Sequence, residues 1–146
     1  MFRNAKDGLE VLLVHPGGPF FQNKDAGAWT IPKGEAEENE DLLSRARTEF
    51  EEELGFAPVG DLIPLGSVRQ KGGKLVHAWA FEGDLPVPFT LASNSFTMEW
   101  PPRSGRSQAF PEVDRAEFFS MEEARRKINE AQTVFLDRLE NGLRSK

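Results

Sequence analysis

Residues 9–15 (LEVLLVH) form an almost unbroken apolar run, the pattern of a strand buried on both faces. The PGGPFF that follows breaks it into a loop. Residues 28–33 (AWTIPK) alternate and stop at Pro32, a short strand that delivers the chain to Gly34. From residue 43 the period changes. Leu43, Ala46, Phe50 and Leu54 recur at spacings of three and four, predicting a helix with Asn39 as N-cap, Glu40 and Asp41 in its first turn and Gly55 at its left-handed end. Residues 57–66 are turn-rich. Residues 66–70 and 75–82 (LVHAWAFE) read as a hairpin, with Leu75, His77, Trp79 and Phe81 on one face and Val76, Ala78 and Ala80 on the other. Residues 83–93 form a loop. A short strand from Thr97 runs into a second loop, through residue 111, before the last strand around residues 112–119. The box Ser120-x-x-Glu123 opens a final helix whose stripe is Met121, Ala124, Ile128, Ala131, Phe135 and Leu139, ending at Asn141-Gly142.

Charge changes this picture at one place. Residues 34–56 (GEAEENEDLLSRARTEFEEELGF) hold nine acids and two bases, while the 146-residue chain carries −6 overall. The acidity is therefore local to one helix and its approach. On a helical wheel Glu49, Glu52 and Glu53 lie together at the flank of the apolar stripe. Like charges at that spacing repel by roughly 0.2–0.5 kcal/mol per exposed pair. A hard divalent cation with oxygen ligands relieves the repulsion, and a solvated acidic face is the simpler alternative.

The spacing of this segment resembles the Nudix box, G-x5-E-x7-R-E-U-x-E-E-x-G-U with U bulky and apolar. Gly34, Glu40, Glu49, Phe50, Glu52, Glu53, Gly55 and Phe56 match it, and Thr48 stands where the family has arginine. The resemblance implies an α/β fold: an α/β/α sandwich with a mixed sheet, the box helix on one side and the C-terminal helix on the other. One domain over residues 1–146 is expected, with residues 1–3 the remnant of an edge strand. WTIPKGE before the box, and Glu112, Ala116 and Phe119 after it, are similar to the branch containing diadenosine tetraphosphate hydrolases.

The resemblance further implies hydrolysis of a nucleoside diphosphate linked to another moiety, with Mg²⁺ (or Mn²⁺) as cofactor and a small-molecule nucleotide as partner. Metal ligands would be Glu49, Glu52 and Glu53 with the carbonyl of Gly34. Either Glu49 or Glu112 would accept the proton of the attacking water, so the catalytic set is Glu49, Glu52, Glu53 and Glu112. Lys33 is a candidate phosphate contact. Arg103 and Arg106, among Gly and Ser in a loop, suit a phosphate chain or simply face solvent. Arg45, four residues before Glu49, offers a partial substitute for the charge missing at Thr48. Trp29 could stack on a base or fill the core, and His77 reads as a structural histidine. Two other functions stay in play: house-cleaning hydrolysis of modified nucleoside triphosphates, and nucleotide binding with weak catalysis.

Composition narrows the classes. There is no cysteine, which removes thiolate metal sites and cysteine nucleophiles. Twelve Phe and three Trp support a packed core. A charge of −6 is unsuited to general nucleic-acid binding. No apolar run approaches a membrane span, and the start does not read as a signal peptide, so a cytoplasmic location is the expectation.

Overall fold

The computed structural model describes residues 1–32, 41–70, 72–86, 89, 91 and 93–144. Its centre is the apolar run found first in the sequence. Strand β2 (Gly8–Pro16) lies between β1 (Phe2–Ala5) and β7 (Val113–Ser120), antiparallel to both. All four residues of β1 pair with β2, so Phe2 and Arg3 belong to a formed strand.

The two faces of β2 build two cores. Leu12 and Val14 pack with Phe50 and Leu54 of helix α1 (Leu42–Leu54), together with Phe81 and Val113. Val11 and Leu13 point the other way, onto Trp29 and the C-terminal helices through Ile128, Phe135, Leu136 and Leu139. A strand with alternate side chains in opposite cores is the middle layer of a sandwich, and this is the layered α/β arrangement expected. Strand ladders are antiparallel, and an isolated parallel bridge joins Phe2 to Glu82.

Helix α1 starts later than its sequence suggests. Asp41 is the N-cap: its carboxylate accepts from the Leu43 N–H (3.2 Å) and the Ser44 hydroxyl (2.9 Å). Asp41 therefore precedes the first helical turn, and Asn39 and Glu40 lie outside the described residues. The other end is as expected, with Gly55 left-handed (φ 82°) and its N–H bonded to the Glu51 carbonyl.

Strands β3 (Ile63–Arg69) and β4 (Leu75–Ala80) make the predicted hairpin, but β3 begins three residues early. A bulge between Pro64 and Gly66 lets it pass two residues that read as turn. In β4 the small-residue face, Val76, Ala78 and Ala80, is the buried one, because Phe135, Leu136 and Leu139 supply the bulk opposite. The loop expected up to residue 111 is a second hairpin, β5 (Ser95–Glu99) with β6 (Ser107–Pro111).

The final helix is two helices. α2 (Met121–Lys127) is capped by Ser120 as predicted, and α3 (Thr133–Arg144) runs past Gly142. Between them Ile128 is extended and bridges Trp29, and a short 3₁₀ turn (Glu130–Gln132) is capped by Asn129. The Asn129 N–H donates to the Trp29 carbonyl at 2.7 Å, a tertiary bond that replaces a helical one. Among the described residues no helix is long and apolar enough to cross a membrane.

Candidate active site

Helix α1 sets the site by docking Phe50 and Leu54 into the sheet. Phe50 meets Phe81 and Phe56 edge-on, at ring-centroid distances of 5.1 and 5.3 Å. This rotation of the helix carries Glu49 and Glu53, beside Phe50 and Leu54, to the protein interior, where they are 7% and 6% exposed. Glu52 stays at the surface. Two acids of the trio are thus pulled out of water by the packing of their neighbours.

Glu112 is positioned from the sheet. It occupies the turn between β6 and β7, and its backbone is held twice: its N–H donates to the Asn94 carbonyl (2.8 Å) and its carbonyl accepts from Gly17 N–H (2.9 Å). A side chain at position 17 would collide with the Pro111 carbonyl, so the end of β2 approaches Glu112 this closely only as glycine. Asn94 also reaches Glu52 with its side-chain amide, at 3.5 Å. The three elements meet at one rim.

The electrostatics agree with that convergence. Burial pushes the Glu49 carboxyl above its ordinary range, the ion pair with Arg45 pulls it back, and the charges of Glu52 and Glu112 push it up again. Glu53 and Glu112 line one cleft of about 380 Å³, whose other walls include Phe21, Thr30, Gln70 and Asn129.

The loop on the near side of the cleft is clamped by a buried histidine. His15 is fully buried, with Nδ1 at 2.7 Å from an Asp114 carboxylate oxygen and Nε2 at 2.7 Å from the Lys24 carbonyl. Trp29 is a core residue, 1% exposed, its indole N–H donating to Asp25.

Of the sequence candidates, Glu53 and Glu112 line one cleft, and Glu49 feels the charges of Glu52 and Glu112. Lys33, Gly34, Asn39 and Glu40 lie outside the described residues. Arg103 and Arg106 sit on the exposed turn of the β5–β6 hairpin, and neither lines the cleft. Six residues of extended chain separate Arg106 from Glu112, roughly 20 Å. Thr48 is exposed, its hydroxyl bonded back to the Ser44 carbonyl at 3.0 Å, and Arg45 makes the ion pair with Glu49. Phe21, Gln70 and Asn129 were not legible as site residues: single uncharged side chains on loops carry no spacing signal.

A model of the NUDIX domain matches residues 1–139. The chain belongs to the Nudix family. It is a Nudix hydrolase, a pyrophosphohydrolase acting on phosphoanhydride bonds. The fold is similar to that of a C. elegans Ap4A hydrolase binary complex, with TM-score 0.64 at 20% identity over 99% of this chain and 95% of that one. It is also similar to the NUDIX domain of Shewanella oneidensis NrtR complexed with ADP ribose (TM-score 0.61, 16% identity, 97% and 82% covered). A third likeness is to the MutT protein from Methanosarcina mazei Go1 (TM-score 0.55, 20% identity, 96% and 88% covered). No curated protein matches the sequence.

Nudix hydrolases generally use divalent metals, and the donor chemistry at this rim can be compared with that need. The acids provide oxygen donors only, which suits Mg²⁺ or Mn²⁺. Among the described residues no three carboxylates or histidines stand close enough to enclose a cation, and Glu49 is turned onto Arg45.

Proposed function

We propose that this Nudix hydrolase cleaves a phosphoanhydride bond in a nucleoside diphosphate linked to a second moiety, with a dinucleoside polyphosphate such as diadenosine tetraphosphate as the first candidate. The observation that carries the reading is the meeting of Glu53 from α1 and Glu112 from the β6–β7 turn in one cleft, with Glu49 electrostatically sensitive to Glu52 and Glu112. The C. elegans Ap4A hydrolase and the ADP ribose complex, both of this fold, support a nucleotide ligand.

Glu49, Glu52 and Glu53 would hold Mg²⁺ or Mn²⁺, with the Gly34 carbonyl. When bound, the cation neutralises phosphate charge and supplies Lewis acidity. Glu49 or Glu112 takes the proton of the attacking water. Glu112 suits the task because its backbone is held from Asn94 and Gly17 while its side chain is exposed at the cleft. For Glu49 to ligate, its ion pair with Arg45 has to open, and the like charge of Glu52 one turn on favours that exchange. Lys33 would meet a phosphate oxygen. Arg103 and Arg106 would bind phosphate only on a substrate long enough to reach the hairpin turn.

A second reading, hydrolysis of a nucleoside triphosphate, is favoured by the size of the cleft, which suits one nucleoside. Product identity separates them. The test is a nucleotide panel with and without Mg²⁺, scored by product and repeated with Glu52→Gln and Glu53→Gln. Two nucleotides from a dinucleoside polyphosphate support the first reading, and monophosphate plus pyrophosphate from a triphosphate the second. Absence of Mg²⁺-dependent turnover on every compound contradicts both.

A further inference from the structure

His15 faces two oxygens at once. Its side chain is fully buried near the end of β2, with Nδ1 at 2.7 Å from a carboxylate oxygen of Asp114 and Nε2 at 2.7 Å from the Lys24 carbonyl. A backbone carbonyl has no proton to give, and neither has an ionised carboxylate. A neutral imidazole carries a single N–H and satisfies one of the two; the imidazolium donates to both. The ring therefore completes this geometry by holding two protons, its charge paired with Asp114 as burial requires.

The two partners stand on different elements. Asp114 belongs to β7, and Lys24 to the loop of residues 17–28. That loop is tied at one end by the Gly17 N–H to the Glu112 carbonyl (2.9 Å), and at the other by the Gly27 N–H to the Arg126 carbonyl (3.0 Å). Near the second end Asp25 also accepts from the Trp29 indole and pairs with Lys127. Between these ties His15 holds the Lys24 carbonyl, and the Lys24 N–H donates to the Phe21 carbonyl at 3.0 Å. The turn held in this way carries Phe21, which lines the cleft along with Glu53 and Glu112.

We propose that His15 is a proton-operated latch: its imidazolium bridges Asp114 to Lys24 and fixes the Phe21 turn at the cleft, and loss of one proton releases the Lys24 carbonyl. Release falls on that side because a neutral ring keeps its N–H for the carboxylate, the stronger acceptor. Other charged groups surround the pair. Arg115, the cross-strand partner of His15, has Nε at 3.8 Å from Asp114 and its guanidinium 5.0 Å from the centre of the Trp29 ring. Trp29 meets the imidazole edge-on at 5.1 Å, with the Asp25–Lys127 pair beside it. The Lys24 ammonium lies 5.5 Å from the Phe21 ring, and Glu112 begins the turn that leads to Asp114. Carboxylates, lysines and arginines ordinarily change charge well away from neutral pH, whereas histidine changes near it. The latch is therefore assigned to the ring. His15 is a positioning residue, acting on the cleft through Lys24 and Phe21, and the inference goes beyond the proposed reaction because it requires no turnover.

The experiment is NMR of the whole chain, labelled with ¹⁵N and ¹³C, from about pH 5 to pH 9. At the acid end both ring nitrogens of His15 carry protons. As the pH rises, the Nε2 resonance moves to that of a bare nitrogen. The Lys24 carbonyl and Phe21 ring resonances move with the same midpoint, while Gly27, held by Arg126, stays in place. Asp114→Asn removes the charge that favours the imidazolium, so the three transitions move together to lower pH by roughly one unit or more. His15→Gln abolishes the transition at Lys24 and Phe21, with the melting temperature recording that the fold persists; should that variant not fold, the parent and Asp114→Asn spectra decide. A ring whose proton count is constant over the range, a proton lost with Lys24 and Phe21 unmoved, or an Asp114→Asn midpoint equal to the parent's overturns the proposal.

Discussion

Replacing Gln132 by methionine isolates one fully buried polar side chain. Methionine nearly matches glutamine in length and volume, so little cavity is created. What is lost is the acceptor for Ile31 N–H and the donor to Gln70. Gln70 is half-buried and recovers a water partner; Ile31 N–H, facing a fully buried side chain, does not. An orphaned donor of that kind costs about 1–3 kcal/mol. For a domain near 150 residues, each kcal/mol lowers Tm by about 2–4 °C, so Gln132→Met should melt about 2–12 °C below the parent. Differential scanning calorimetry measures this, and urea unfolding should show a lower midpoint at an unchanged slope. A variant as stable as the parent would refute the stabilising role given to the Ile31–Gln132–Gln70 hydrogen bonds.

Other expectations follow from single contacts. Leu54→Ala removes a 1% exposed side chain that docks α1 and should cost about 2–5 kcal/mol in chemical denaturation; a cost under 1 kcal/mol would mean that α1 is not held by this stripe. Thr48→Arg places a cation one turn before Glu52 on an exposed surface. Its stability should stay within about 0.5 kcal/mol, and Mg²⁺-dependent phosphate release should not fall below the parent's. Asp25 is held below its ordinary 3.8 by hydrogen bonds from Lys127 and Trp29. A depressed carboxylate contributes stability above its unfolded value and loses it as pH falls through the folded one. Tm should therefore decline below about pH 4 more steeply in the parent than in Asp25→Asn, and parallel declines would contradict the assignment.

How much of this was readable beforehand depended on whether the signal was local. The double-sided strand β2 and the docking face of α1 announce themselves because burial on known faces imposes a period on the sequence. Gly55 was legible for the same reason, since one backbone conformation requires it. The β5–β6 hairpin was not, because β6 is short and polar (Ser107–Pro111) and its turn holds prolines, glycine and two arginines. The break at Ile128 was hidden by a stripe that keeps helical spacing across it; the cause is pairing with Trp29, about a hundred residues away. Glu49, Glu52 and Glu53 stood out as candidates through charge and box spacing, and Glu112, outside the box, only through the family resemblance.

The account stands on the acids of α1 serving a divalent cation. Titrating Mn²⁺ into the protein by isothermal calorimetry, alone and with nucleotide, tests this most directly. A saturable site that disappears when Glu52 and Glu53 are both changed to glutamine is the predicted result. A parent protein that takes up no divalent ion under either condition, or a double variant that binds as the parent does, would contradict it.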